Sequence, residues 1–133
     1  MAAFAAQVAR IAAGKAQPRI LAGNLDVTRD FTDVRDVIRA YFALLAKGRR
    51  GEAYNIGSGH ETRLADVLDR LVALAGVDVE IVLDPARVRA GEQRRVAADV
   101  RKIASHAGWA AHTPLERSLR DALDYWKGKI ANG

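Results

Sequence analysis

Large apolar residues recur along this chain at intervals that alternate between helical and extended spacing. Phe4, Val8, Ile11 and Ala12 lie on one face of a 3.6-residue period. Gly14 closes that run, so Met1–Gly14 reads as a helix that starts without a cap ahead of it. Pro18 ends the next turn, Arg19–Leu21 is a short strand, and Gly23-Asn24 punctuates it. Thr28–Phe31 is a second extended run. Thr32 or Asp33 then caps a helix to about Lys47, with Val34, Val37, Ile38, Tyr41, Phe42, Leu44 and Leu45 in a broad apolar stripe. Asp33 and Asp36 stand in its first turn and Lys47-Gly48 at its end, where the helix dipole and chain reversal favour them.

Beyond this helix, Glu52–Ile56 reads as a strand stopped by Gly57-Ser58-Gly59. Strand, helix and strand over Thr28–Ile56 predict a right-handed parallel βαβ unit. Thr62 caps a third helix carrying Leu64, Val67, Leu68, Leu71, Val72 and Leu74, and Gly76 ends it. Val79–Leu83 is a strand broken by Asp84-Pro85, and Ala86–Arg95 a basic loop. Asp99 caps a short helix that Gly108 ends. Thr113-Pro114-Leu115-Glu116 has the form of a capping box opening a last helix, with Leu119, Leu123 and Trp126 inward. Lys127 to Gly133 reads as a frayed or added tail. The class is α/β, most simply one domain at 133 residues.

Composition removes several functions. There is no cysteine, hence no disulfide framework and no thiolate metal site, which fits a reducing cytoplasm. No apolar run approaches the roughly 20 residues needed to cross a bilayer, and no basic segment precedes the apolar start as in a signal peptide. The net charge of +5 points to a solvated basic surface or to an anionic ligand such as phosphate. The basic residues are spread along the chain without an aromatic-rich motif, so nucleic acid ranks last among anionic partners.

No group stands out for covalent chemistry. His60, His106 and His112 lack ligand spacing, and no metal site is expected. Ser58 is flanked directly by glycines, not in the Gly-x-Ser-x-Gly order of a nucleophile elbow. The chain has no Gly-x-Gly-x-x-Gly and no Gly-Lys-Ser/Thr loop, and its one Tyr-x-x-x-Lys spacing, Tyr125 to Lys129, falls near the end of the last helix. Arg29 is the leading binding candidate. It precedes a helix N-terminus, where a guanidinium and helix amides can together hold a phosphate. The plain alternative is an ion pair with Asp30 or Asp33. Arg89 and Glu92, three apart in the basic loop, are the other candidates.

Taken in order, several pieces resemble the C-terminal part of extended short-chain dehydrogenases/reductases. They are Gly23-Asn24-Leu25-Asp26, Arg29–Val37, Tyr54-Asn55-Ile56-Gly57-Ser58-Gly59, Arg89-x-x-Glu92, Asp99-x-x-Lys102, Gly108-Trp109 and Thr113–Glu116. The resemblance is to the GDP-mannose 4,6-dehydratase and GDP-6-deoxy-4-keto-mannose reductase branch of the NAD-dependent epimerase/dehydratases, and covers about Phe4 to Trp126. It implies a partial Rossmann-type βαβ unit (28–56) plus a small α/β substrate-binding subdomain, with 1–126 the substrate-side portion and 127–133 a tail. The glycine-rich NAD(P) loop and the catalytic Tyr-x-x-x-Lys of the family would lie outside this chain, leaving it without catalytic residues or cofactor of its own.

By the same resemblance Arg29 would contact the nucleotide of a nucleotide-sugar, with Asn24 nearby. Arg89 and Glu92 would contact the diphosphate and the ribose or base. Ala90 stands where the family has proline. A portion of this kind would expose apolar surface and either self-associate or pair with the missing N-terminal portion. The alternatives are a self-associating unit with no retained function and a basic nucleic-acid binder.

Overall fold

Gly14, at φ +67°, and Gly76, at φ +66°, reverse the chain after the first and third helices of the computed structural model, which describes residues 1–88 and 91–132. The elements run α1 (Ala2–Ala12), β1 (Arg19–Ala22), β2 (Thr28–Asp30), α2 (Val34–Lys47), β3 (Glu61–Arg63), α3 (Leu64–Ala75), β4 (Glu80–Leu83), α4 (Arg101–Ala107) and α5 (Leu115–Ala131). They divide between two compact units. The first gathers Met1–Val27, Arg63–Arg94 and Glu116–Gly133, and the second Thr28–Thr62 and Arg95–Leu115.

In the first unit β1 and β4 pair in parallel, from Arg19 opposite Glu80 to Ala22 opposite Leu83. Helix α1 packs on α3 and on β1. Ala5, Val8, Ala9, Ile20, Val67, Leu68, Leu71 and Leu119 are fully buried. Gly23 is required by closeness, because a Cβ there would lie 2.5 Å from the Arg87 carbonyl oxygen. Helix α5 continues through the predicted tail to Ala131, and Lys15 Nζ donates to the Ile130 carbonyl at 2.6 Å. Across the same unit Arg70 pairs with Glu116 at 2.5 Å, which ties the first turn of α5 to α3.

In the second unit β2 pairs with β3. Helices α2 and α4 pack together around Ala40, Ile103, Ala107 and Trp109, with Leu44, Tyr54 and Ile56 against them. The α/β class stands, with its parallel pair on β1 and β4. Residues 52–56, expected as the second strand of a βαβ unit over Thr28–Ile56, have no ladder partner among the described residues. Tyr54 and Ile56 pack onto the α2–α4 core, and the Asn55 amide donates to the Asp99 carbonyl at 3.3 Å. A strand depends on its neighbour, which alternation within one segment does not reveal.

Two caps also differ. Thr62 lies within β3, and the extended Arg63 precedes α3. Helix α4 begins at Arg101, although the Asp99 carboxylate does accept from the Arg101 amide at 3.1 Å. Of the two cap candidates for α2, Asp33 is the cap, accepting from the Arg35 amide at 2.9 Å. Inside the basic loop, Pro85–Arg87 makes one 3-10 turn.

Candidate functional site

Successive strand residues point to opposite sides, so Arg29 and Asp30 at the end of β2 have separate environments. The half-buried Arg29 donates from Nη1 to the Thr28 carbonyl at 2.7 Å. Asp30 collects donors from two segments. Its Oδ1 accepts from the Ser58 hydroxyl at 2.6 Å and the Ser58 amide at 2.8 Å. Its Oδ2 accepts from the Gly59 amide at 3.0 Å and the Ala98 amide at 3.1 Å. Burial pushes this carboxyl up, but the Ser58 hydroxyl and the three amides outweigh it and hold Asp30 below the usual carboxylate range.

This clamp explains the Gly-Ser-Gly turn. A Cβ at Gly57 would stand 2.6 Å from Asp30 Oδ2, and Gly59 takes φ +75°. It also explains why Ser58 is not activated. Its hydroxyl donates to a carboxylate held low, which makes a weak base, while His60 Nδ1 lies 2.9 Å from the Ser58 carbonyl oxygen and not on the hydroxyl. One hollow of about 450 Å³ opens over Asp30, Thr32, Asn55, Gly57 and Ala97. Another of about 290 Å³ lies among Phe31, Ser58, His60, His112 and Thr113.

A second carboxylate organises the other end of this unit. Asp36 is fully buried, accepts from the His112 amide at 3.1 Å and the Thr113 amide at 2.9 Å, and pairs with Arg39. Burial raises its pKa, yet the His112 and Thr113 amides, the Thr113 hydroxyl and Arg39 lower it further, to about 2. The Tyr54 hydroxyl accepts from the Arg49 amide at 2.9 Å and meets His106 Nδ1 at 3.0 Å. Among the described residues no three His, Cys, Asp or Glu groups gather as a metal site. Nor is any described helix long and apolar enough to cross a membrane. The Tyr125–Lys129 spacing yields an ammonium 5.8 Å from the ring centroid on an exposed face.

Of the residues singled out in the sequence, Asn24 and Glu92 belong to the first unit and Arg29 to the second, while Arg89 lies outside the described residues. Asn24 Oδ1 accepts from the Asp26 amide at 3.0 Å, which closes an Asx turn after β1. Glu92 is half-buried. Asp33 turns to Arg35 at 2.7 Å, and Asp30 to Ser58, Gly59 and Ala98. Sequence reasoning passed over Asp30 and Asp36 as organisers. The only signal available was an acid standing just before a helix, since the Ser58, Gly59 and Ala98 amides that it binds carry no mark in the sequence.

A model of the GDP-mannose 4,6 dehydratase family matches residues 2–122. GDP-6-deoxy-D-mannose reductase of Pseudomonas aeruginosa is 39% identical over 130 residues, 98% of this chain and 43% of the reductase. dTDP-glucose 4,6-dehydratase of Shigella flexneri is 32% identical over 120 residues, 85% of this chain and 32% of that protein. Among solved structures, RMD from Pseudomonas aeruginosa complexed with NADPH aligns with a TM-score of 0.90 at 38% identity, over 96% of this chain and 41% of that one. UDP-glucose 4-epimerase of Thermotoga maritima with UDP-glucose gives 0.78 at 29% identity, over 92% and 38%. The chain thus spans less than half the length of these relatives. With the family model covering nearly all of its length, the chain belongs to the GDP-mannose 4,6-dehydratase family.

Proposed function

We propose that this chain is the nucleotide-sugar-binding portion of an NAD(P)-dependent reductase or 4,6-dehydratase, acting on a GDP-linked mannose or deoxyhexose and not competent for catalysis by itself. The observation that carries this reading is the 39% identity to GDP-6-deoxy-D-mannose reductase across 98% of the chain. Arg29 supplies a charged fork suited to the nucleotide's phosphate oxygens. Its neighbour Asp30 fixes β2 against the Gly57–Gly59 turn through the hydrogen bonds described above. Asn24 stands in an ordered turn, and by the family resemblance Arg89 and Glu92 are the candidates for the diphosphate and the ribose or base.

In the whole enzyme a nicotinamide cofactor would supply hydride chemistry. The residues present here do not fit that group. Strand β1 runs into the Asn24 Asx turn and β2 into the Asp33-capped α2, and neither turn is the glycine-rich cradle a pyrophosphate needs. No cofactor step is therefore assigned to these residues, whose part is to bind and orient the nucleotide.

Calorimetry with GDP-mannose tests the reading. Binding is expected by millimolar ligand, and Arg29→Ala should weaken it at least about tenfold, the loss of one charge-assisted contact. Absence of heat at millimolar ligand, or an unaltered Arg29→Ala titration, would reject it.

A further inference from the structure

Side chains at alternate positions of a strand share a side, so Thr28 and Asp30 stand together behind β2 and Arg29 stands in front. Both rear side chains are held by one short segment. Asp30 Oδ2 accepts from the Ala98 amide at 3.1 Å. Three residues earlier, the Arg95 guanidinium grips Glu61 of β3 as a fork, Nη2 to Oε1 at 2.8 Å and Nε to Oε2 at 2.9 Å. Glu61 Oε2 also accepts from the Thr28 hydroxyl at 2.7 Å. The fork and that hydroxyl hold the Glu61 carboxyl below the usual carboxylate range. All of these residues lie in the second unit. In front, Arg29 Nη1 donates to the carbonyl of the same Thr28 at 2.7 Å. Thr28 is thus held at both of its oxygens, by Glu61 and by Arg29.

We propose that Glu61 and Arg95 are positioning residues for Arg29, bracing from behind the strand whose carbonyl aims its guanidinium. This role rests on the reading of Arg29 as a nucleotide contact. A loose arginine surrenders much rotamer freedom when it grips a phosphate. One already docked on a carbonyl surrenders less, which preorganises the site. The carbonyl must hold still for that. Strand β2 is only three residues long, and among the described residues it pairs with β3 alone. Threonine is β-branched, so fixing its hydroxyl fixes χ1 and restrains the peptide that follows. Without Arg95, Glu61 would be a surface carboxylate with only the Thr28 hydroxyl to hold it. The Arg95 side chain is 77% exposed, and a pair so exposed adds little to stability. Its effect falls on affinity and not on folding.

Calorimetry with GDP-mannose on the full chain, beside thermal melts, tests this role. Arg95→Ala should weaken binding about threefold with an unchanged melting temperature. The double variant Arg29→Ala with Arg95→Ala should bind no more weakly than Arg29→Ala, because Arg95 acts only through Arg29. A further loss in the double variant would make Arg95 a direct contact and overturn the proposal. So would unaltered affinity in Arg95→Ala, or a loss that tracks a lowered melting temperature. A second readout needs no nucleotide. In the free 15N-labelled chain the docked Arg29 guanidinium, assigned with Arg29→Lys, should rotate slowly about its Nε–Cζ bond. Arg95→Ala and Glu61→Ala should each speed that rotation. Absence of binding by the unsubstituted chain would reject the nucleotide reading alone, whereas equal rotation in all three chains would overturn the bracing itself.

Discussion

At the scale of single residues, Asp30 and Gly57 form one device. The carboxylate satisfies amides on two other segments, and the glycine leaves the space the carboxylate occupies. Removing a shared acceptor leaves partly buried donors unpaired, at about 1–3 kcal/mol each where water cannot replace it. Asp30→Ala should therefore lower unfolding stability by at least about 2 kcal/mol in urea titration. Gly57→Ala should cost a similar amount by pushing the carboxylate out. The double variant should fall clearly short of the sum, because each change already breaks the same cluster; a fully additive result would mean the two act independently. The sequence made Arg29 conspicuous through its charge and its place before a helix. Asp30 stayed hidden because its partners are backbone amides, which every residue but proline carries and which no letter marks.

At the scale of elements, the period of α2 was legible but its orientation was not. Seven large apolar residues on one helix read as a face turned to the core. The structure instead buries Asp36 and Ala40 and turns Val34, Ile38, Phe42 and Leu45 outward. The small Ala40 lets α4 approach with Ile103 and Ala107, and the Asp36 side chain finds its amides only from that side. Periodicity locates a stripe, while the packed face is chosen by which side chains fit a neighbour. Two alanines on this one helix separate the cases. Ala40→Leu, at a fully buried position, should overpack the α2–α4 contact and cost about 1–3 kcal/mol. Ala46→Leu, at an exposed position, should stay within about 0.5 kcal/mol. Thermal or urea melts of both decide it, and equal costs would contradict this orientation. The end of α5 was missed for a related reason. Lys127–Ala131 is polar enough to read as a tail, yet Lys15 binds the Ile130 carbonyl and the helix continues.

At the scale of the whole chain, the ordered motifs made the family legible, whereas the division into two units did not show. Each unit is assembled from separated segments, and a linear pass sees only neighbours. What the chain as a whole does with acid follows from its carboxylates. Asp36 titrates at about 2 when folded and near 3.9 when unfolded. A folded pKa below the unfolded one means that the stabilisation is complete above about pH 4 and is lost as pH falls toward 2. For this fully buried group it amounts to about 2 kcal/mol. Asp30, lowered in the same direction, adds to the loss over the same side of the curve. A second effect runs in parallel. With 21 lysines and arginines, each protonated carboxylate leaves a more positive and more self-repelling chain. Salt distinguishes the two, since at about 1 M the screening length is only about 3 Å and exposed charges no longer repel, while the buried Asp36 cluster is little affected. Urea midpoints between pH 7 and pH 2 should therefore fall below pH 4 at both low and high salt, less steeply at high salt. Asp36→Asn should begin about 2 kcal/mol lower at pH 7 and lose less on acidification, keeping only the salt-sensitive part of the decline. If high salt abolished the acid loss in the unsubstituted chain, surface repulsion alone would account for it, and the buried Asp36 cluster would not be what holds the second unit together above pH 4.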